Sequence, residues 1–148
     1  MGGPQSVALQ SVVRARSETE AAWMVAEARP GTRLIAGGTD LMLQMAHGRH
    51  APTHLVDIRR AGMNHIQDTD DGLRIGACAT AADLARNAVI QHKAAGLFEA
   101  AGTLSVPQIR NAATLGGNLA NASPAADMVP CVLAMDGQLR IKRGDDAR

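Results

Sequence analysis

Over its first sixty residues the chain alternates short apolar runs with segments carrying helix start and stop signals, and this rhythm constrains the fold most tightly. An apolar stretch at Val7–Val13 predicts a strand. Ser17-Glu18-Thr19-Glu20 has the Ser-x-x-Glu spacing of a capping box, so a helix is expected there, with Ala21, Val25 and Ala28 on one face. Arg29-Pro30-Gly31 ends it, because proline cannot continue the hydrogen-bond ladder and glycine relieves the exit. Arg33–Ala36 reads as a short buried strand and Gly37-Gly38-Thr39 as a turn. Asp40–Ala46 then reads as a short helix with Leu41 and Met45 on one side, and THLVDI at 53–58 as a third strand. Strands separated by helices are joined by crossovers, so a parallel β-α-β-α-β unit is expected.

Beyond it the rhythm changes. NHIQD, the acidic turn TDDG and LRIGACAT predict a hairpin of two strands from Met63 onward. Thr80-Ala81-Ala82-Asp83 has the spacing of a helix cap for a segment through Arg86, and a second helix is expected over Gln91–Ala101. Gln138–Lys142 reads as a closing strand, followed by a polar tail, GDDAR, expected to be frayed or cut short. The fold class is α+β.

The chain has 148 residues, enough for one domain with a real core. Lys and Arg number 15 against 14 Asp and Glu, so no basic footprint argues for nucleic acid or an anionic membrane, and any bound anion must be held locally. No apolar run reaches the length of a membrane span and the N-terminus lacks a signal-peptide pattern, so a cytoplasmic location is the default expectation. Cys78 and Cys131 form no CxxC pair; both are expected to be small buried thiols, with no metal or iron–sulfur site. The histidines supply no ligand set either, since Pro52 disfavours a helix between His50 and His54. With Trp23, Phe98 and no tyrosine, a base-stacking platform is excluded.

The chemistry concentrates at two Gly-Gly pairs. A strand that turns through Gly37-Gly38 into a helix leaves backbone N–H groups pointing at one spot, where the helix dipole adds positive potential; such a spot suits phosphate. The plainer reading is a tight turn, with Thr39 or Asp40 capping the helix. The segment IRNAATLGGNLANASPAADMVP at 109–130 carries the second pair, Gly116-Gly117, as a second glycine loop enclosed by Thr114 and Asn118. Ser123 and Pro124 fit the cap and first position of a helix with Asp127 in its first turn. The Ser123 to Asp127 spacing is one too long for a capping box, leaving the Asp127 carboxylate free to accept from sugar hydroxyls. Asn118 is a candidate ligand residue, and Asn111 and Asn121 read as turn residues.

AGGTDL at 36–41, IGACAT at 75–80 and the 109–130 segment together resemble the FAD-binding medium subunit of molybdenum hydroxylases, the family of xanthine dehydrogenase and aerobic carbon monoxide dehydrogenase. The resemblance runs from about Val7 to Arg140. It implies a vanillyl-alcohol oxidase-type FAD-binding fold, with a small parallel βαβ subdomain and part of a second α+β subdomain holding FAD between them. Residues 1–148 would form one FAD-binding domain, truncated about halfway through the family's plan, dividing at about residue 60 into a βαβαβ subdomain and an incomplete second one. By the same resemblance, the loop of Leu34, Ile35, Ala36, Gly37, Gly38, Thr39, Asp40 and Leu41 wraps the FAD pyrophosphate. Thr114, Leu115, Gly116, Gly117 and Asn118 contact the flavin-bearing part and the phosphates from the other side. Asp127 also touches the cofactor, and Leu104 lies near its adenine end.

The implied role is that of a flavoprotein component passing electrons from 2Fe–2S clusters to an external acceptor. Molybdopterin then belongs to a large partner subunit and the clusters to a small one. No catalytic acid, base or nucleophile is expected in this chain, since the redox chemistry belongs to the cofactor. The alternatives are a cofactor-free remnant and a non-redox diphosphate- or nucleotide-binding module.

Overall fold

A computed structural model describes residues 9–147. Ser11–Arg14 (β1), Thr32–Ile35 (β2) and His54–Asp57 (β3) form a parallel sheet in the order β1-β3-β2. The first strand starts later than its apolar stretch, because pairing with β3 begins where the Gln10 and Ser11 N–H groups donate to the Thr53 carbonyl at 2.8 and 3.3 Å. Residues 7 and 8 lie outside the described residues. Glu18–Ala26 (α1) and Thr39–Ala46 (α2) make the two crossovers. The first connection passes over β3 and the second steps back, so right-handed crossovers put α1 and α2 on opposite faces. At the start of α1 the Glu20 N–H donates to Ser17 Oγ at 3.1 Å, but the Glu20 carboxylate accepts from Arg16 N at 2.6 Å, one residue short of the expected box.

Ile66–Thr69 (β4) and Gly72–Ile75 (β5) pair antiparallel around Asp70 and Asp71, as the acidic turn predicts. Ala81–Leu84 (α3) follows, with the Thr80/Asp83 capping box complete. The helix expected over Gln91–Ala101 is two helices, Ala88–Lys93 (α4) and Ala95–Thr103 (α5), broken at Ala94 where φ is −142°. The break lets Ile90 and Leu97, 0% and 1% exposed, enter one core, and this packing outweighs the helix propensity of an alanine-rich run.

Pro107–Arg110 (α6) leads to Leu115–Asn121 (α7), so the second glycine pair stands in the first turn of a helix and not in a loop. The helix expected from Ser123-Pro124 is absent. Ala122 ends α7 at a φ of 49°, and Ser123 closes a turn by accepting from Ala125 N and Ala126 N. The next helix, α8, is Val129–Ala134, with Pro130 in its first turn. Of the strand expected at Gln138–Lys142 only Lys142 is paired in a strand; Lys142–Arg143 (β6) pairs with Asp146–Ala147 (β7). The tail is therefore a small hairpin, with the Gly144 N–H donating to the Ala22 carbonyl at 2.9 Å on α1.

Two apolar clusters result. The larger joins Leu84, Ile90, Leu97, Leu115 and Met128, and the smaller joins Ala15, Ala21, Val56, Ile58 and Cys78. Cys131, expected buried, is only half-buried.

Candidate functional site

The carboxyl end of a parallel sheet is where loops collect ligands, and here β2 delivers the chain to Gly37 and Gly38. Gly38 caps α2 with φ 73° and ψ 1°, a left-handed conformation that side chains rarely adopt. No side chain caps this helix, so neither Thr39 nor Asp40 plays the part the plainer reading gave it. Among the described residues nothing accepts a hydrogen bond from the N–H groups of Gly37, Gly38, Thr39, Asp40 or Leu41. Five adjacent donors at a helix N-terminus favour an acceptor-only group such as a phosphate. Asp40 is exposed in the same first turn, so its carboxylate must stay turned toward water or hydroxyls if an anion binds there.

At the second glycine pair the amides are already engaged. Leu115 N donates to Ala79 O, Gly116 N to Ala77 O, Gly117 N to Thr114 Oγ1 and Asn118 N to Thr114 O, at 2.9 to 3.1 Å. Gly116 is required by proximity: a Cβ there would lie 2.7 Å from both the Cβ and the carbonyl oxygen of Ala77. The expectation of two N–H-rich loops facing one group is thus corrected to one such loop, backed by a helix whose first turn is fully bonded. The second segment contributes side chains instead. Asn118 Oδ1 accepts from Met128 N at 3.3 Å, which fixes the amide orientation and leaves its Nδ2 donors without a partner among the described residues. That bond sets Asn118 beside the exposed Asp127, bringing two of the sequence candidates together.

The two segments touch directly. A Cβ on Gly37 would overlap the backbone carbonyl of Ala112 and crowd Ala113 Cα at 3.2 Å, so the β2–α2 turn rests on the turn that joins α6 to α7. At the far ends of the helices Gln44 Nε2 donates to Asn121 Oδ1 at 3.0 Å. Helices α2 and α7 therefore leave one contact and meet again, with both N-termini at the same end. Leu34 and Ile35 lie on β2, Leu34 being 45% exposed, and Ala36 and Leu41 flank the turn half-buried. Leu104 differs: it is 7% exposed within the larger core, and its carbonyl accepts from Arg110 at 3.4 Å, so its side chain offers no ligand surface.

Beneath the turn, Asp57 is Ile35's partner in the sheet and only 2% exposed. The Arg59 guanidinium, hydrogen-bonded at 2.8 and 3.0 Å, holds its carboxyl well below the usual carboxylate range, and Arg14 at 3.2 Å adds to this against the opposing cost of burial. The cluster ties the ends of the strands together, and its two guanidiniums against one carboxylate leave a net positive charge there. Burial, with Asp57 nearby, pushes the Cys78 thiol up; its Sγ donates to Ile58 O at 3.4 Å.

Sequence reasoning missed Gln44, Ala112 and the role of Asn121. For Gln44 a signal existed: it is three residues after Leu41 and one before Met45, a polar residue on the helix's apolar stripe. Among the described residues no three His, Cys, Asp or Glu side chains cluster to hold a metal, and no helix is long and apolar enough to cross a membrane.

Residues 7–148 match the family model described as FAD binding domain in molybdopterin dehydrogenase. The chain is 39% identical over 114 residues to the xanthine dehydrogenase FAD-binding subunit of Escherichia coli O157:H7, covering 76% of this chain and 39% of that protein. It is 30% identical over 139 residues to the glyceraldehyde dehydrogenase medium chain of Sulfolobus acidocaldarius, covering 93% and 49%. Among solved structures, the Cu,Mo-CO dehydrogenase in its cyanide-inactivated form superimposes with a TM-score of 0.89 at 28% identity, over 93% of this chain and 49% of that one. Quinoline 2-oxidoreductase from Pseudomonas putida 86 gives 0.75 at 28% identity, over 80% and 41%. The chain thus spans less than half the length of these relatives. A match over nearly the whole sequence, together with an α+β fold shared with these proteins, places the chain in the family of FAD-binding domains of molybdopterin dehydrogenases.

Proposed function

We propose that this chain holds FAD by its diphosphate at the N-terminus of α2 and serves as the flavin-bearing part of a molybdenum hydroxylase. The observation that carries the reading is the run of N–H groups from Gly37 to Leu41, without acceptors among the described residues, at a helix start capped by a left-handed glycine. The residues fit the group: an FAD diphosphate presents only acceptors, and the site presents donors. In this reading Leu34, Ile35 and Ala36 carry the strand into the cradle, and Thr39 and Asp40 line its first turn. Thr114, Leu115, Gly116 and Gly117 form the wall that fixes the distance to Asn118. Asn118 donates its side-chain amide to the cofactor, and Asp127 accepts from a hydroxyl. Leu104 contributes backbone alone at the adenine end.

Bound flavin supplies two-electron chemistry that can be entered one electron at a time. The protein's part is to bind it, orient it and shape its surroundings. The full assembly would pair this component with a molybdopterin-binding large subunit and a 2Fe–2S small subunit in the cytoplasm, delivering electrons to an external acceptor. Residues 1–148 would divide near residue 60, the first portion carrying the diphosphate cradle.

Titrating the purified chain with FAD tests the reading, following flavin fluorescence and the visible spectrum, with ADP as competitor. Saturable quenching at one FAD per chain, displaced by ADP, is expected. Unchanged flavin fluorescence would overturn the cradle. Binding of ADP with no preference for FAD would favour a non-redox diphosphate-binding module.

A further inference from the structure

Helix α2 has no buried residue, so core packing does not fix its direction. One end is pinned where the Gly37 backbone rests on Ala112 and Ala113. A helix held at a single point swings, and its N–H fan swings with it. Gln44 is the sixth residue of α2 and Asn121 the last of α7, each several ångströms along its helix from the glycine contact at about 1.5 Å per residue. Their hydrogen bond, between residues 77 apart in sequence, gives α2 a second attachment. We infer that Gln44 and Asn121 are positioning residues, whose amide–amide bond sets the angle of α2 against α7 and thereby aims the amides of residues 37–41 at the group bound between the two segments.

The inference rests on the FAD reading and adds to it a specific consequence: a pair that touches no ligand controls affinity for the diphosphate. Neither side chain takes part in the cradle, and both are uncharged, so changing them leaves the local field nearly unaltered. Replacing both in a reciprocal way restores the combined length while each single replacement spoils it.

The test uses the full chain with FAD and ADP as probes. Gln44→Asn, Asn121→Gln and the double variant are compared for dissociation constant by fluorescence titration and for thermal midpoint without ligand. Each single change is expected to weaken both FAD and ADP binding about tenfold, the size expected for one lost orienting hydrogen bond, with little change in midpoint. The double variant is expected to regain most of the affinity, a recovery that mere loss of stability does not produce. Gln44→Met, which keeps length and removes the polar end, gives the same loss and serves if shortening disturbs α2. Parent-like affinity in the single and Met variants, or no recovery in the double, overturns the pair's role while leaving the FAD reading standing. Failure of the unaltered chain to bind either probe overturns both.

Discussion

Two Gly-Gly pairs stand at the starts of two adjoining helices and behave oppositely. At α2 the glycine cap turns left-handed and leaves five amides without partners among the described residues; at α7 the amides of Leu115 through Asn118 all find acceptors inside the protein. In the first pair Gly38 is needed for its φ of 73°, and in the second Gly116 is needed because Ala77 lies too close for a side chain. The same dipeptide makes a close backbone contact in both places, through Gly37 and through Gly116, but leaves an open donor set only in the first. Free donors, and not glycine content, distinguish the two helix starts.

Hydrogen exchange provides the widest separation between the two helix starts. Amides of Thr39, Asp40 and Leu41 are expected to exchange quickly without FAD and to slow about a hundredfold with it, while those of residues 115–118 are protected in both states. Equal protection at both sites before FAD is added would erase the distinction. Next in size is Gly37→Ala, whose Cβ has no room against the Ala112 carbonyl; a loss of about 3 kcal/mol in chemical denaturation is expected, because the clash is with backbone. A stability loss under a third of that would mean the two segments are not in contact.

Asp57→Asn is expected to cost about 2 kcal/mol at neutral pH, having lost charge-assisted bonds to Arg59 and Arg14. Because the folded carboxyl titrates below its ordinary 3.8, its contribution is complete above that value and fades as pH falls through and below it. The gap between parent and variant should therefore narrow in urea melts below about pH 4, and a gap constant down to pH 2.5 would contradict the ion cluster. The smallest effect separates conformation from bulk at the cap: Gly38→Val should lose about 1–2 kcal/mol to left-handed strain, whereas Gly38→Asn, which tolerates αL, should lose less and keep FAD. Equal losses in thermal melts would show that φ is not what Gly38 supplies.

What the sequence alone determined was set by neighbours along the chain. The Thr80/Asp83 box, the acidic hairpin turn, the short helix expected over Asp40–Ala46, which begins one residue earlier at Thr39, and the parallel β-α-β-α-β rhythm follow from capping, turn chemistry and periodicity, all acting within a few residues. The motifs also located the candidate segments and the family. Tertiary structure alone decided the break at Ala94, the helix over Leu115–Asn121, the turn at Ser123 and the folding of the tail onto α1. It also decided that Gly37 is a contact, Asn121 the hydrogen-bond partner of Gln44 and Leu104 core. Each of these depends on a partner distant in sequence, such as Ala112 for Gly37 or Gln44 for Asn121, and local propensity carries no information about which distant atoms will take up a hydrogen bond or the space of a side chain.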